Sequence, residues 1–286
     1  MSSKKDSNLK NLPDNFRMIF TSTNNQIREF GNAILLANFS YLLTQLIYSV
    51  DFRDHEKESV AEQFRSIVYE TFNNQKGYVD EKVKLIEDKQ EQYVQSLYAQ
   101  GLVFLWARLE SLVKQLITAL IDLERGLLTK ESFRLIKIPM TKYFELADDE
   151  KMRFLAELIF NSMCDHKYGI YKLECYLDTV GLSGGFNEKH KRNVIVLHQM
   201  RNCIVHNDSV ADAKFCENCT WMNYQVGDKF VVTDKDFRAY ETSVLAYIQE
   251  IFYRLNQSMG APDRYLQSLR RNIDSLFVNQ ESIRES

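Results

Sequence analysis

From about Asp80 to Arg125 the chain runs without a proline, and its second half, AQGLVFLWARLESLVKQLITALI, is apolar on most faces. A helix of that kind is stable only when other elements surround it. This segment therefore predicts a helical bundle built around one central helix. The punctuation residues agree: 286 residues carry 3 Pro and 10 Gly, too few for an architecture of many strands and turns. At 45% hydrophobic residues, the chain can fill a sizeable core.

The remaining periodicity fills in the bundle. Apolar residues recur at helical spacing from Asn15 to Val50, with a kink expected near Gly31, and again from Val60 to Phe72 after the charged run DFRDHEKES. NNQKG at 73–77 reads as a turn. Further helices are expected over 129–135, from the acids of DDEKMRFLAELIFNSM onward, over 167–180, from Glu188 to Val205, and from Phe237 to Leu255. A final amphipathic segment, RYLQSLRRNIDSLF, reads as a docking or dimerisation helix. YQVGDKFVV reads as one small β-hairpin turning at Gly227-Asp228. The expected fold class is all-α, with a helical extension over 1–80, a main helical domain over 81–258 and a helical tail over 259–286.

Net charge is −3 with a pI near 6.0, so no global positive field draws the molecule to nucleic acid or to an anionic membrane. The first residues, MSSKKDSNLK, lack the apolar stretch of an export signal, and no uncharged apolar run reaches about 18 residues. A cytoplasmic protein without a membrane partner is expected, its five cysteines reduced and Cys164 and Cys175 serving as small core residues.

The most informative stretch is HQMRNCIVHND, residues 198–208. Val194, Leu197, Arg201, Ile204 and Val205 share a helical stripe, so a permanent cation stands where an apolar residue belongs. Such a guanidinium must be paired or must face a polar cleft. One candidate partner is Glu110, within the central stripe of Trp106, Leu109, Val113 and Ile117, which would make the pair a structural clamp. The alternative is chemical. Were the helix to end near His206 and turn at Asn207-Asp208, then Arg201, Asn202 and His206 could converge, with His198 behind them. A guanidinium can hold a phosphodiester and an imidazole can move its protons, with no cofactor needed. Lys189, Lys191 and Arg192, just upstream at the helix N-terminus, are candidates for RNA backbone contacts, and Arg270-Arg271 is a weaker one. A rival use of the same histidine is metal binding: Cys203, His206, Cys216 and Cys219 form a CCHC set with zinc-like spacing.

RNCIVHNDSVAD resembles the RN-x3-H signature of the HEPN superfamily (higher eukaryotes and prokaryotes nucleotide-binding), particularly the RN-x-x-VHN form of prokaryotic defence and toxin members. WARLESLVK on a neighbouring helix, and GDKFVVTDKDFRAYETSVLAYIQEIF after the motif, follow in the same order, so the resemblance spans roughly residues 90–257. It implies an all-α, HEPN-like bundle that forms a homodimer with a composite site. It also implies a metal-independent endoribonuclease that cuts tRNA or other cellular RNA and leaves 2′,3′-cyclic phosphate ends. Arg201 and His206 would be catalytic, Asn202 supporting and Glu110 the orienting acid, and an antitoxin or another defence protein would restrain the activity. Where one subgroup of the family carries a tyrosine two residues beyond the histidine, this chain has Asp208, which argues against control by adenylylation. Non-catalytic binding or scaffold members also exist, and a zinc-stabilised interaction domain is the remaining alternative.

Overall fold

The computed structural model describes residues 13–49, 76–130, 133, 136–164 and 166–282, without the side chains of 35–49, 76–93, 148–149 and 277–282. The helices, numbered here in chain order, are α1 (Asp14–Ser49), α2 (Lys76–Leu123), α3 (Met140–Glu145), α4 (Asp148–Ser162), α5 (Gly169–Thr179), α6 (Glu188–His206), α7 (Ala213–Asn218), α8 (Asp234–Ser258) and α9 (Asp263–Ser282). A 3-10 turn, Arg125–Thr129, follows α2. The helix read over 60–72, the charged run before it and most of the 129–135 segment lie outside the described residues.

The chain divides into two compact units. One comprises residues 1–31 with 99–286, and the other 32–98. These boundaries differ from those read at 80/81 and 258/259. The cause is local: the start of α1 belongs with the C-terminal helices. Phe16, Phe20 and Ile27 of α1 are buried, Phe20 meets the ring of Phe252 on α8 at 4.9 Å, and Phe30 stacks on Phe104 at 4.2 Å. The smaller unit takes the rest of α1 and the first part of α2.

In the larger unit the core follows the second half of α2. Leu102, Leu105, Trp106, Leu109, Leu112, Val113, Leu116, Ile117 and Ile121 are all buried, leaving a narrow exposed strip at Ala107 and Gln115. α6 packs against α5, α7 and α8, and α9 packs on α8. The contact of α5 with α6 depends on Gly169. Its φ of +53° is left-handed, and a Cβ there would lie 3.2 Å from the Ile195 Cα, so the residue permits both the turn and the close approach. Ile273 of α9 is buried, so the C-terminal tail covers its own chain.

No strand occurs among the described residues. The chain turns one residue earlier than expected, at Val226-Gly227, with Asp228 N bonded to Gln225 O at 3.1 Å and Gly227 at φ +100°, and around that turn it does not pair with itself as a hairpin. Residues 227–230 pair instead with 209–211, through one bridge between Val210 and Lys229 and the bonds Ala211 N to Asp228 O (2.8 Å), Gly227 N to Ala211 O (3.0 Å) and Phe230 N to Ser209 O (2.9 Å). The segment leaving the motif helix is thereby stitched to the segment entering α8.

Candidate functional site

α6 is positioned from both ends. Asn187 caps it, its side chain accepting from the Lys189 and His190 amides. At the other end Asn207 closes the helix with a bond to the Cys203 carbonyl, and Asp208 and Ser209 turn left-handed at φ +47° and +63°. The buried face is His190, Val194, Ile195, Val196, Leu197, Gln199, Met200 and Cys203. The apolar stripe ends there: Ile204 is only half-buried and Val205 is 47% exposed. Arg201 thus stands where α6 leaves the core, which explains a cation on an apparently apolar stripe.

Arg201 and Asn202 are half-buried, and His206 is exposed. Arg201 Nη1 donates to Asn202 Oδ1 at 2.9 Å, and Asn202 Nδ2 lies 3.4 Å from His198 Nε2. The chain turns after His206, not before it, so the histidine keeps its helical phase, about 140° round from Arg201. The expected convergence of Arg201, Asn202 and His206 within one subunit is therefore replaced by two features: an Arg201–Asn202–His198 line, and an exposed imidazole at the helix tip.

His198 packs its ring on Trp106 of α2, centroids 4.4 Å apart. Burial first, then the positive charges of Arg201 and Lys172, hold its pKa down to about 4, so it is neutral at physiological pH. Lys172 of α5 was missed from the sequence. Its reach to His198 depends on the packing of α5 on α6, which local periodicity does not report.

Glu110 does not pair with Arg201. It sits 3.3 Å from Lys114 on its own helix, the ordinary one-turn partner for an acid, and both side chains are partly exposed. The paired, buried guanidinium belongs instead to Arg254 of α8. Arg254 donates to both oxygens of Glu174, to Glu250 and to the carbonyls of Leu182 and Gly185. Tyr247 and the Gly184 amide also donate to Glu174, and Arg270 donates to Glu250.

The basic residues upstream divide. Lys191 lies over the Tyr171 ring at 4.8 Å and 3.4 Å from Glu188, Arg192 lies over Trp221 at 5.3 Å, and Lys189 is half-buried. Arg270, read with Arg271 as a phosphate contact, is committed to Glu250 and to the ring of Tyr253.

The cysteines overturn two readings. Cys164 and Cys175 form a disulfide, Cα atoms 6.1 Å apart, joining the α4–α5 loop to α5. That pairing depends on the left-handed turn at Cys164, φ +72°, which carries no clear local signal. Cys203 and Cys219 are buried and Cys216 is half-buried, while His206 is exposed. No group of three or more His, Cys, Asp or Glu side chains among the described residues has metal-holding geometry, so the CCHC set is not assembled.

Two clefts of the larger unit lie away from the motif. One, of about 720 Å³, is lined by residues including Lys114, Asp122, Arg153, Glu157 and Phe160, and the other, of about 290 Å³, by Arg17, Asn24 and Tyr265 among others. No motif residue lines either. The chain matches no known family profile, no curated protein and no solved structure.

Proposed function

We propose that the protein is a metal-independent endoribonuclease of the HEPN type, acting as a homodimer on a cellular RNA such as tRNA or mRNA within a defence or toxin system. The observation that carries this reading is the state of Arg201. Arg254 is neutralised by the carboxylates of Glu174 and Glu250, whereas Arg201 has only a neutral amide and no carboxylate among the described residues. It stands at the edge of the core with its other N–H groups unengaged among those residues, as an anion-binding guanidinium requires. Lys172 adds a second cation nearby, and His206 stands at the end of the same helix, exposed and without a hydrogen-bond partner among the described residues.

The angular separation of Arg201 and His206 supports a site shared between two copies. In such a site the 2′-hydroxyl attacks the adjacent phosphorus and the P–O5′ bond breaks, giving a 2′,3′-cyclic phosphate and a 5′-hydroxyl. In each of two equivalent sites the His206 of one copy takes the proton of the attacking hydroxyl and, as imidazolium, returns a proton to the leaving oxygen. Arg201 holds the charge that builds on the phosphoryl oxygens. Asn202 supports Arg201 directly. Glu110, held by Lys114, has no role in this scheme.

The test is cleavage of total RNA by purified protein in EDTA, with end-group analysis. His206→Ala and Arg201→Ala should each abolish cleavage while far-UV circular dichroism stays unchanged. RNA binding that depends on Arg201 without any cleavage would assign a non-catalytic binding module instead. Equal cleavage by the His206→Ala variant would end the proposal.

A further inference from the structure

The geometry points to His198 as a positioning residue that sets the direction of Arg201 through Asn202. Donor and acceptor chemistry dictates the arrangement. A guanidinium can only donate, so the atom of Asn202 that faces Arg201 Nη1 at 2.9 Å must be the carbonyl oxygen. The amide nitrogen is then turned toward His198 Nε2, at 3.4 Å, and it too can only donate. Nε2 must therefore be bare, and the single proton of the neutral ring must sit on Nδ1.

That assignment has a visible consequence. Nδ1 is buried and has no hydrogen-bond partner among the described residues, so its N–H is left unsatisfied there while the ring packs on Trp106. Native folds rarely leave a buried donor unmet, and the opposite tautomer would cure nothing here, because it would set Nε2–H against the Asn202 amide hydrogens. The ring is held in its less comfortable tautomer by the demands of Arg201, two hydrogen bonds away. Protonating His198 would have the same effect as the wrong tautomer, and burial together with the charges of Arg201 and Lys172 opposes it.

The function of the line is orientation. With Nη1 tied back to Asn202, the remaining donors of Arg201 face outward as a fixed fork instead of sweeping through rotamers. This inference rests on the reading of Arg201 as a phosphate-holding group only for its purpose. The relay itself is independent of RNA.

Histidine-selective and arginine side-chain nitrogen spectra of the full-length chain decide it. In the wild type at neutral pH, His198 should carry its proton on Nδ1, and Arg201 should show slow rotation about its Nη1 bond. In Asn202→Asp the side chain still receives Arg201 but has no N–H to give, so the His198 proton should move to Nε2. His198→Leu should let the Arg201 signals average, and His198→Gln, whose amide oxygen replaces Nε2, should restore the slow rotation. A proton on Nε2 in the wild type, or an unchanged tautomer in Asn202→Asp, overturns the relay. Should His198→Leu not fold, the tautomers of the wild type and Asn202→Asp still settle the matter.

Binding of a 2′-O-methyl oligouridine, which cannot be cleaved, separates the relay from the phosphate reading. Both stand if His198→Leu weakens binding about five- to tenfold, as the loss of one hydrogen bond would, and adds nothing to Arg201→Ala. If the spectra behave as expected but binding ignores Arg201→Ala, the relay holds and the phosphate reading falls.

Discussion

Arg254 Nη1 donates to both carboxylate oxygens of Glu174, at 2.8 and 3.1 Å, joining positions 80 residues apart in the chain. The contact fastens α8 to α5, and the loop ahead of α6 closes over it, because Leu182 and Gly185 supply carbonyls to the same guanidinium. Gly184 belongs to the arrangement by being small: a Cβ there would lie 2.9 Å from Arg254 Nε.

Removing one member leaves the others charged and enclosed. Arg254→Ala should destabilise by about 3–5 kcal/mol, the range for breaking a buried pair from one side. Replacing the pair together, Arg254→Met with Glu174→Leu, should cost less than either single change. Urea unfolding followed by circular dichroism checks both. A Gly184→Ala variant should lose stability as well, since the guanidinium has no room to move aside.

Acid should weaken the fold between about pH 6.5 and pH 4. His190 is 1% exposed, its Nδ1 is 2.8 Å from Ser243 Oγ, and burial, with a smaller contribution from Lys189, lowers its pKa to about 4. In that window the unfolded chain takes a proton that the folded chain refuses, so stability is full above the unfolded value and falls as pH drops. The loss attributable to this residue is on the order of 3 kcal/mol. Unfolding curves at neutral and acid pH, compared with those of His190→Gln, isolate it from the carboxylates: the variant should show the smaller loss.

The disulfide makes a separate prediction. Cys164 and Cys175 are 11 positions apart, and closing a loop of that size should stabilise by about 3 kcal/mol on the chain-entropy account. Dithiothreitol should lower the melting temperature of the wild type and leave that of Cys175→Ser unchanged.

A shared site predicts complementation. Arg201→Ala protein mixed with His206→Ala protein under conditions that exchange subunits should recover roughly a quarter of the wild-type cleavage rate, because half the dimers are mixed and each holds one intact site. Two inactive proteins that stay inactive together would place both groups of each site in one subunit.

Much of this architecture follows from periodicity. The central stripe of Leu109, Val113 and Ile117 is buried as its spacing indicates, and the motif helix runs from Glu188 to His206, one residue beyond the expected end. Local signals served for elements whose partners are near in sequence. They failed where a partner is distant. The chain turns at Val226-Gly227, one residue before the expected place, and residues 227–230 bond to 209–211, because backbone pairing is chosen by tertiary proximity and not by turn chemistry. Arg201 drew attention as a misplaced cation, yet Arg254, one turn after Glu250 and Ile251 on a buried face, was the arginine that needed burying partners. Its one-turn relation to Glu250 was readable; its bond to Glu174 was not. His198 escaped weight because a tautomer is legible only from the atoms around it.

The last helix carries a further implication. Glu250 is enclosed and receives Arg270 at 2.6 Å from α9 as well as Arg254 from its own helix, so two arginines face two glutamates across three helices. The quartet is electrically even only while α9 is docked. A chain cut after Ser258 would keep an uncompensated negative charge in its interior, and the tail that looks like an appendage is the counterion of the bundle it closes.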